Sequence, residues 1–199
     1  ATLDPASVWM NLIEESPTPF SAYVKYHEQY TLTASPERYL FHCGGFVMSQ
    51  PIKGTAARSA IEQEDEASKF ALATSEKERA ENIMITDLVR NDLSRIAEKG
   101  TVNVDELCKI YGFRQVWQMI TTISATLNKN HHWSDALHAT FPMGSMTGAP
   151  KIKAMQLIDE FEDSKRGMYS GTVGYITPAG DFDFNVVIRS LFYNEKERY

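Results

Sequence analysis

Glu78 and Glu81 stand three residues apart in a stretch of helical spacing, which projects both carboxylates from one face. Hard oxygen ligands of this kind suit Mg2+, which takes one or two carboxylates and fills its shell with water and substrate. The alternative is a solvated acidic face paired with Lys77 or Arg79. Lys53 sits in the segment Pro51-Ile52-Lys53-Gly54-Thr55, read as a rigid loop. A lysine attacks only as the neutral amine, which requires desolvation or a nearby cation; without either it is a surface lysine. Gly144-Ser145-Met146-Thr147-Gly148-Ala149-Pro150-Lys151 is a small-residue run entering a helix, either an anion site built from backbone N–H groups or a turn and cap. It lacks the Gly-Lys-Ser/Thr of a nucleotide-binding loop. Arg189 falls in a predicted strand, Asn185 to Tyr193, among Val187, Ile188 and Leu191. An arginine there needs a partner, either a structural acid such as Asp183 or Asp181 or a substrate carboxylate.

The elements that must position these residues follow from periodicity and turn chemistry. Ser7 to Glu15 has helical apolar spacing and ends before Pro17. Phe20 to Tyr26, Tyr30 to Ala34 and Tyr39 to Phe41 read as strands, and Gly44-Gly45 is a hairpin turn leading into Phe46 to Ser49. Glu62 to Lys99 contains the longest helical stretch, with Phe70, Ala73, Ala80, Met84, Leu88 and Val89 as its apolar positions. The run Ile83-Met84-Ile85 predicts deep burial of that helix. Val104 to Tyr111 and Ser134 to Thr140 read as short helices, and Val116 to Leu127 fits either helix or strand. Pro150 to Glu162 is a helix with proline in its first turn. The tail alternates from Gly171 to Ile176, turns at Pro178-Ala179-Gly180-Asp181 and returns through Phe182 to Tyr193. A last turn at Asn194-Glu195-Lys196 predicts a further strand starting at Tyr199, so the chain reads as an internal piece of a longer protein.

Bulk composition narrows the partners. The 199 residues carry a net charge of −6, with 43% hydrophobic and 23% charged residues, which describes one ordinary globular domain. No segment offers the basic patch that nucleic acid requires. No apolar run approaches the ~20 residues of a membrane span. Cys43 and Cys108 have no paired spacing, so they read as buried free thiols in a reducing cytoplasm rather than as a disulfide or zinc site.

Six blocks in order carry a resemblance that covers nearly the whole chain. They are Ser35-Pro36-Glu37-Arg38, Pro51 to Thr55, Lys77 to Asp92, Phe141 to Lys151, Arg166 to Tyr175 and Ile188-Arg189-Ser190. Together they resemble the chorismate-binding enzymes, which include the large components of anthranilate and aminodeoxychorismate synthases and the isochorismate and salicylate synthases. The resemblance implies an α+β fold, an α/β sandwich of antiparallel sheets with outer helices. Residues 1–199 would then be part of one catalytic domain, incomplete at both ends. The family's glycine-rich substrate loop and second metal glutamate are expected beyond this segment.

The resemblance also implies roles. Lys53 matches the branch that makes 4-amino-4-deoxychorismate, where the lysine is the covalent nucleophile; anthranilate and isochorismate branches usually carry alanine there. Glu81 would be a direct Mg2+ ligand assisted by Glu78, and the metal would hold the ring carboxylate. Glu37 would be the general acid beside the 4-hydroxyl group, because hydroxide leaves poorly unless protonated. Arg189 and Tyr169 would bind the enolpyruvyl carboxylate. Ser145, Gly54 and Thr55 would line the ring pocket, with Gln118 where many members carry a ring-facing histidine. The implied partners are chorismate and a glutamine amidotransferase subunit supplying ammonia, in 4-aminobenzoate and folate synthesis. Two other readings stay open: anthranilate or isochorismate chemistry, and a non-catalytic binding partner.

Overall fold

The structure, a computed structural model, describes residues 3–197. Helix α1 (Pro5–Glu15) begins on Asp4, whose carboxylate accepts from the Ala6 and Ser7 N–H groups, with Pro5 at its first position. Strands β1 (Phe20–Tyr26) and β2 (Gln29–Ser35) form a hairpin. Strand β10 (Ser190–Asn194) pairs with the other edge of β2 and completes a three-stranded sheet. As the central strand, β2 is buried from Tyr30 to Ser35.

A second sheet holds the remaining seven strands. Strand β3 (Arg38–Cys43) turns at Gly44-Gly45 into β4 (Phe46–Gln50), and both glycines take positive φ, +57° and +88°, as a tight hairpin turn requires. Strand β5 (Ile52–Ala57) follows. Strands β6 (Asn103–Gly112) and β7 (Val116–Thr126) form a long hairpin, and β8 (Gly174–Ile176) and β9 (Phe182–Asn185) a short one. One edge of β7 pairs first with β4 and then with β5, and its other edge pairs with β6. Pro51 stands between β4 and β5; lacking an N–H, it still accepts from the Thr121 N–H through its carbonyl. All pairings are antiparallel.

The helices are α2 (Glu62–Thr74), α3 (Glu76–Ser94), α4 (Trp133–Thr140), the single turn α5 (Gly144–Thr147) and α6 (Lys151–Phe161). Ile85, Val89 and Leu93 of α3 and the following Ile96 pack with Leu40, Val47, Ile123 and Phe182 of the large sheet. Burial of each such side chain contributes roughly 1.5–3 kcal/mol, which clamps α3 onto the sheet. The chain crosses between the two sheets twice, at Pro36-Glu37 and at Val186 to Arg189. The crossings are tied together: the Val186 N–H donates to the Glu37 carbonyl at 3.0 Å, and the Ala34 N–H to the Arg189 carbonyl at 3.2 Å.

The antiparallel sheets with helices on their faces bear out the expected class. Several elements differ from the sequence expectation. Val104 to Tyr111 is not a helix but lies in β6, where burial alternates along the strand and pairing to β7 overrides local helical spacing. Val116 to Leu127 resolves as a central strand, stabilised by neighbours on both edges. The long helical stretch is two helices, broken at Ser75, whose hydroxyl caps α3 by accepting from the Glu78 N–H. Its expected apolar face is exposed at Phe70 and Met84. Of Ile83-Met84-Ile85 only Ile85 is buried, because the inward stripe of α3 runs through Asn82, Ile85, Thr86, Val89, Asp92 and Leu93. The segment expected as one strand to Tyr193 is two strands in different sheets. Cys108 is buried as expected, but Cys43 is exposed at the β3–β4 turn. Among the described residues no helix is long and apolar enough to cross a membrane. The further strand expected at Tyr199 lies outside the described residues.

Candidate active site

Glu37 sits at the first crossing, between β2 and β3, with its backbone N–H held by the Ser35 hydroxyl at 3.2 Å. Its side chain is buried, 4% exposed for the residue as a whole. Burial pushes the carboxyl up to about 7; the Ser145 hydroxyl, the Ile52 N–H and the Lys53 ammonium each pull it back. The acid therefore has Ser145, Ile52 and Lys53 for neighbours. Ser145 Oγ faces it without reaching good hydrogen-bond geometry to any described group. A carboxyl poised near neutrality can hold a proton and give it up, as a general acid must.

Lys53 lies in a strand rather than a loop, but the strand is broken there. In the β5–β7 register Ile52 pairs with Ile120 and Thr55 with Gln118, so β5 carries one extra residue across Lys53-Gly54. This bulge turns the half-buried Lys53 out of the regular alternation. Gly54 takes φ +95°, and a β-carbon there would meet Glu78 Oε2 and Leu72 Cδ1, each at 3.1 Å. Glu78 of α3 is thus packed against the Lys53-Gly54 bulge. Glu81, one turn on, shares with Glu78 the ammonium of Lys77, at 3.9 and 4.0 Å respectively. Those distances are too long for hydrogen bonds, so both carboxylates keep free coordination directions. The donor set, two partly exposed carboxylates, fits Mg2+ bound mainly through water and substrate. Among the described residues no group of three or more His, Cys, Asp or Glu is placed to hold a metal.

Asn82 fixes this arrangement and was not anticipated. Its amide nitrogen donates to the carbonyls of Lys53 and Met119, at 3.4 and 3.3 Å. Its oxygen accepts from the Thr121 hydroxyl and from Cys108 Sγ. One buried side chain thereby ties α3 to β5, β6 and β7. The signal available in the sequence was a polar residue in helical register with Ile85, Val89 and Leu93.

Arg189 is not in a strand. It stands at the second crossing with φ +51°, is exposed, and has no acid partner among the described residues. The acids considered for it are engaged elsewhere: Asp183 accepts from Arg38 at 2.9 and 3.0 Å, and Asp181 accepts from the Gly44 N–H. Arg189 shares a narrow cavity with Pro36 and Gln118, and the buried Gln118 Oε1 has no hydrogen-bond partner among the described residues. Thr55, opposite Gln118, is exposed. Tyr169 is apart from these, exposed in an open groove with Phe141, Thr147 and Arg166. Arg166, also unanticipated, links that groove inward. It donates to the Met146 carbonyl at 2.9 Å and to Ser170 Oγ at 3.3 Å, with its remaining N–H groups on Glu162. The Ser170 N–H in turn donates to Val187 at 3.0 Å, two residues before Arg189.

The family model for chorismate binding enzymes matches residues 1–199. The chain belongs to the chorismate-binding enzyme family. Among relatives of this family, the aminodeoxychorismate synthase of Streptomyces griseus is 45% identical over 190 residues, 95% of this chain and 26% of that protein. Aminodeoxychorismate synthase component 1 of Escherichia coli (strain K12) is 41% identical over 188 residues, 94% of this chain and 42% of that protein. The crystal structure of anthranilate synthase component I from Streptococcus pneumoniae TIGR4 superposes with a TM-score of 0.86 at 34% identity, covering 96% of this chain and 42% of that one. The chain thus spans roughly a quarter to two-fifths of the length of these chorismate-binding relatives.

Proposed function

We propose that this chain is the part of an aminodeoxychorismate synthase that carries the nucleophile and the acid, acting on chorismate and ammonia. One observation carries the reading: a buried carboxyl poised near neutrality, Glu37, has the Lys53 ammonium beside it. Names of relatives at 45% and 41% identity support the branch.

The Lys53 ammonium first passes a proton to the Glu37 carboxylate beside it, leaving a neutral amine and a protonated acid; Glu37 then protonates the 4-hydroxyl oxygen as the Lys53 amine attacks ring C2. The C2–N bond forms, the ring double bond shifts and the C4–O bond breaks, releasing water. Ammonia then attacks C4, the double bond shifts back and the C2–N bond breaks, freeing Lys53; the proton lost by ammonia returns to Glu37. Atoms balance as chorismate plus ammonia giving 4-amino-4-deoxychorismate plus water. Glu78 and Glu81 would hold Mg2+, which would supply charge neutralisation for a substrate carboxylate. Arg189, with no acid of its own among the described residues, takes the other carboxylate, while Ser145, Gly54, Thr55 and Gln118 line the ring; Tyr169, in the neighbouring groove, is tied to the Arg189 crossing only through the Ser170–Val187 hydrogen bond. The ammonia source is a glutamine amidotransferase partner, and the product feeds 4-aminobenzoate and folate synthesis in the cytoplasm.

The test is intact-mass spectrometry of the full-length protein incubated with chorismate and Mg2+ without ammonia. A chorismate-derived adduct on Lys53, absent from Lys53→Ala, is expected. Aminodeoxychorismate formed by Lys53→Ala at the parental rate sinks the nucleophile assignment, and anthranilate or isochorismate as the sole product sinks the branch.

A further inference from the structure

Lys151, the first residue of α6, reaches back to α3. Its ammonium is ion-paired with Asp92 and donates to the Thr140 carbonyl at 2.9 Å. Asp92 is 2% exposed, yet only one of its oxygens is used. Asp92 Oδ1 is buried with no hydrogen-bond partner among the described residues, and so is Ser145 Oγ. An unbonded carboxylate oxygen in the interior is unfavourable, because it has given up its hydration without a replacement. Both residues line one small cavity, with Glu37, Tyr39, Val89 and Thr140 among its walls. Its volume of about 20 Å³ exceeds what a single water needs, about 10–15 Å³.

We infer that this cavity binds one ordered water, which donates one hydrogen to Asp92 Oδ1 and the other to Ser145 Oγ, and that Asp92 and Lys151 are thereby positioning residues for Glu37. The direction follows from chemistry. An ionised carboxylate only accepts, so the water must donate to Asp92. Ser145 Oγ, accepting from the water, keeps its own hydrogen for the Glu37 carboxyl beside it. The other charged groups are disposed to allow this. Burial pushes the Asp92 carboxyl up and Lys151 and Arg95 only partly pull it back; the contact with the Lys151 ammonium is what favours its ionised form. The Tyr39 phenol is pushed well up by burial and stays neutral, hydrogen-bonded to Thr140 at 2.7 Å. Around Glu37, Lys53 is the facing cation, and Arg38 is turned away to Asp183.

The positioning role rests on Glu37 being the acid of the proposed function; the water site does not. A crystal structure of the full-length protein that resolves waters should show one within hydrogen-bond distance of Asp92 Oδ1 and Ser145 Oγ, and an empty cavity overturns the inference. Val89→Ile, which adds a methyl group to the cavity wall, should lower Tm by displacing that water; a raised Tm means a dry cavity and overturns it too. In the pH profile of kcat/KM, activity falls as the acid ionises. Asp92→Ala combined with Lys151→Met, which removes the acceptor and its counter-charge together, and Ser145→Ala should both move that alkaline limb upward, by about half a unit to one unit for a lost hydrogen bond. A limb moved by Ser145→Ala and untouched by the double variant breaks the link. Full turnover by Glu37→Gln would remove the acid and the positioning role with it, a failure separate from an empty cavity.

Discussion

The Glu78 carboxylate packs against Gly54: a β-carbon on Gly54 would lie 3.1 Å from Glu78 Oε2. The bulge that carries Lys53 and the helix turn that carries both metal-type carboxylates are therefore in direct contact. The absence of a side chain at one residue sets their spacing.

Gly54→Ala should be costly on two counts. It places a side chain at φ +95° and drives it into Leu72 and Glu78. A loss of roughly 1–3 kcal/mol is expected in urea unfolding. Mg2+ affinity, measured by calorimetry where the variant remains folded, should fall as Glu78 is pushed aside. Unchanged affinity would place the metal elsewhere.

Glu37 makes stability depend on pH with a definite sign. Its folded carboxyl titrates at about 7, against 4.5 for the free group, so between those values the folded state keeps a proton that the unfolded state has lost. The protonated-acid contribution is complete below the unfolded value and is lost as pH rises through about 7, a change on the order of 3 kcal/mol. Glu37→Gln should flatten the stability profile between pH about 5 and 7 and abolish turnover. Chemical denaturation across that range checks the first expectation.

Asn82→Ala removes donors from the Lys53 and Met119 carbonyls and the acceptor of the Thr121 hydroxyl at once. Groups left unbonded in the interior predict a loss of about 2–3 kcal/mol. Covalent capture by Lys53 should slow more than the stability loss explains, because the bulge loses its tie to α3. Single-turnover mass spectrometry at a temperature where the variant is folded reads this directly.

Arg166→Ala should raise KM for chorismate about tenfold with a smaller change in kcat, by releasing the Ser145 loop and the Tyr169 turn together. Steady-state kinetics on the full-length protein decide it. A variant that loses kcat alone would contradict a role in placing the binding groups.

Local signals made part of this protein legible in advance. The Gly44-Gly45 turn, the proline before α6 and the short strand-forming runs of β1 to β4 are short-range features, and the structure repeats them. The three-residue spacing of Glu78 and Glu81 is likewise local, and both fall on one partly exposed face of α3. Val104 to Tyr111 shows the limit: a stretch compatible with helix is a strand because β7 supplies hydrogen bonds that no local pattern announces. Arg189 shows another, since the chain leaves one sheet for the other just before it and its neighbours Val186 and Val187 are buried by distant segments.

By itself the sequence determined which chemical groups exist and how they are spaced along the chain: an amine at Lys53, a carboxyl at Glu37, the Glu78 and Glu81 pair, and six ordered blocks that mark the family. Only the tertiary structure decided that Lys53 stands on a bulge against β7, that Glu78 touches Gly54, and that Glu37 is buried enough to titrate near 7. The reason is physical. Spacing along a helix or strand follows from backbone geometry within a few residues, whereas burial, register and the charge beside a carboxyl are set by segments far apart in sequence that meet only when the sheets and helices pack.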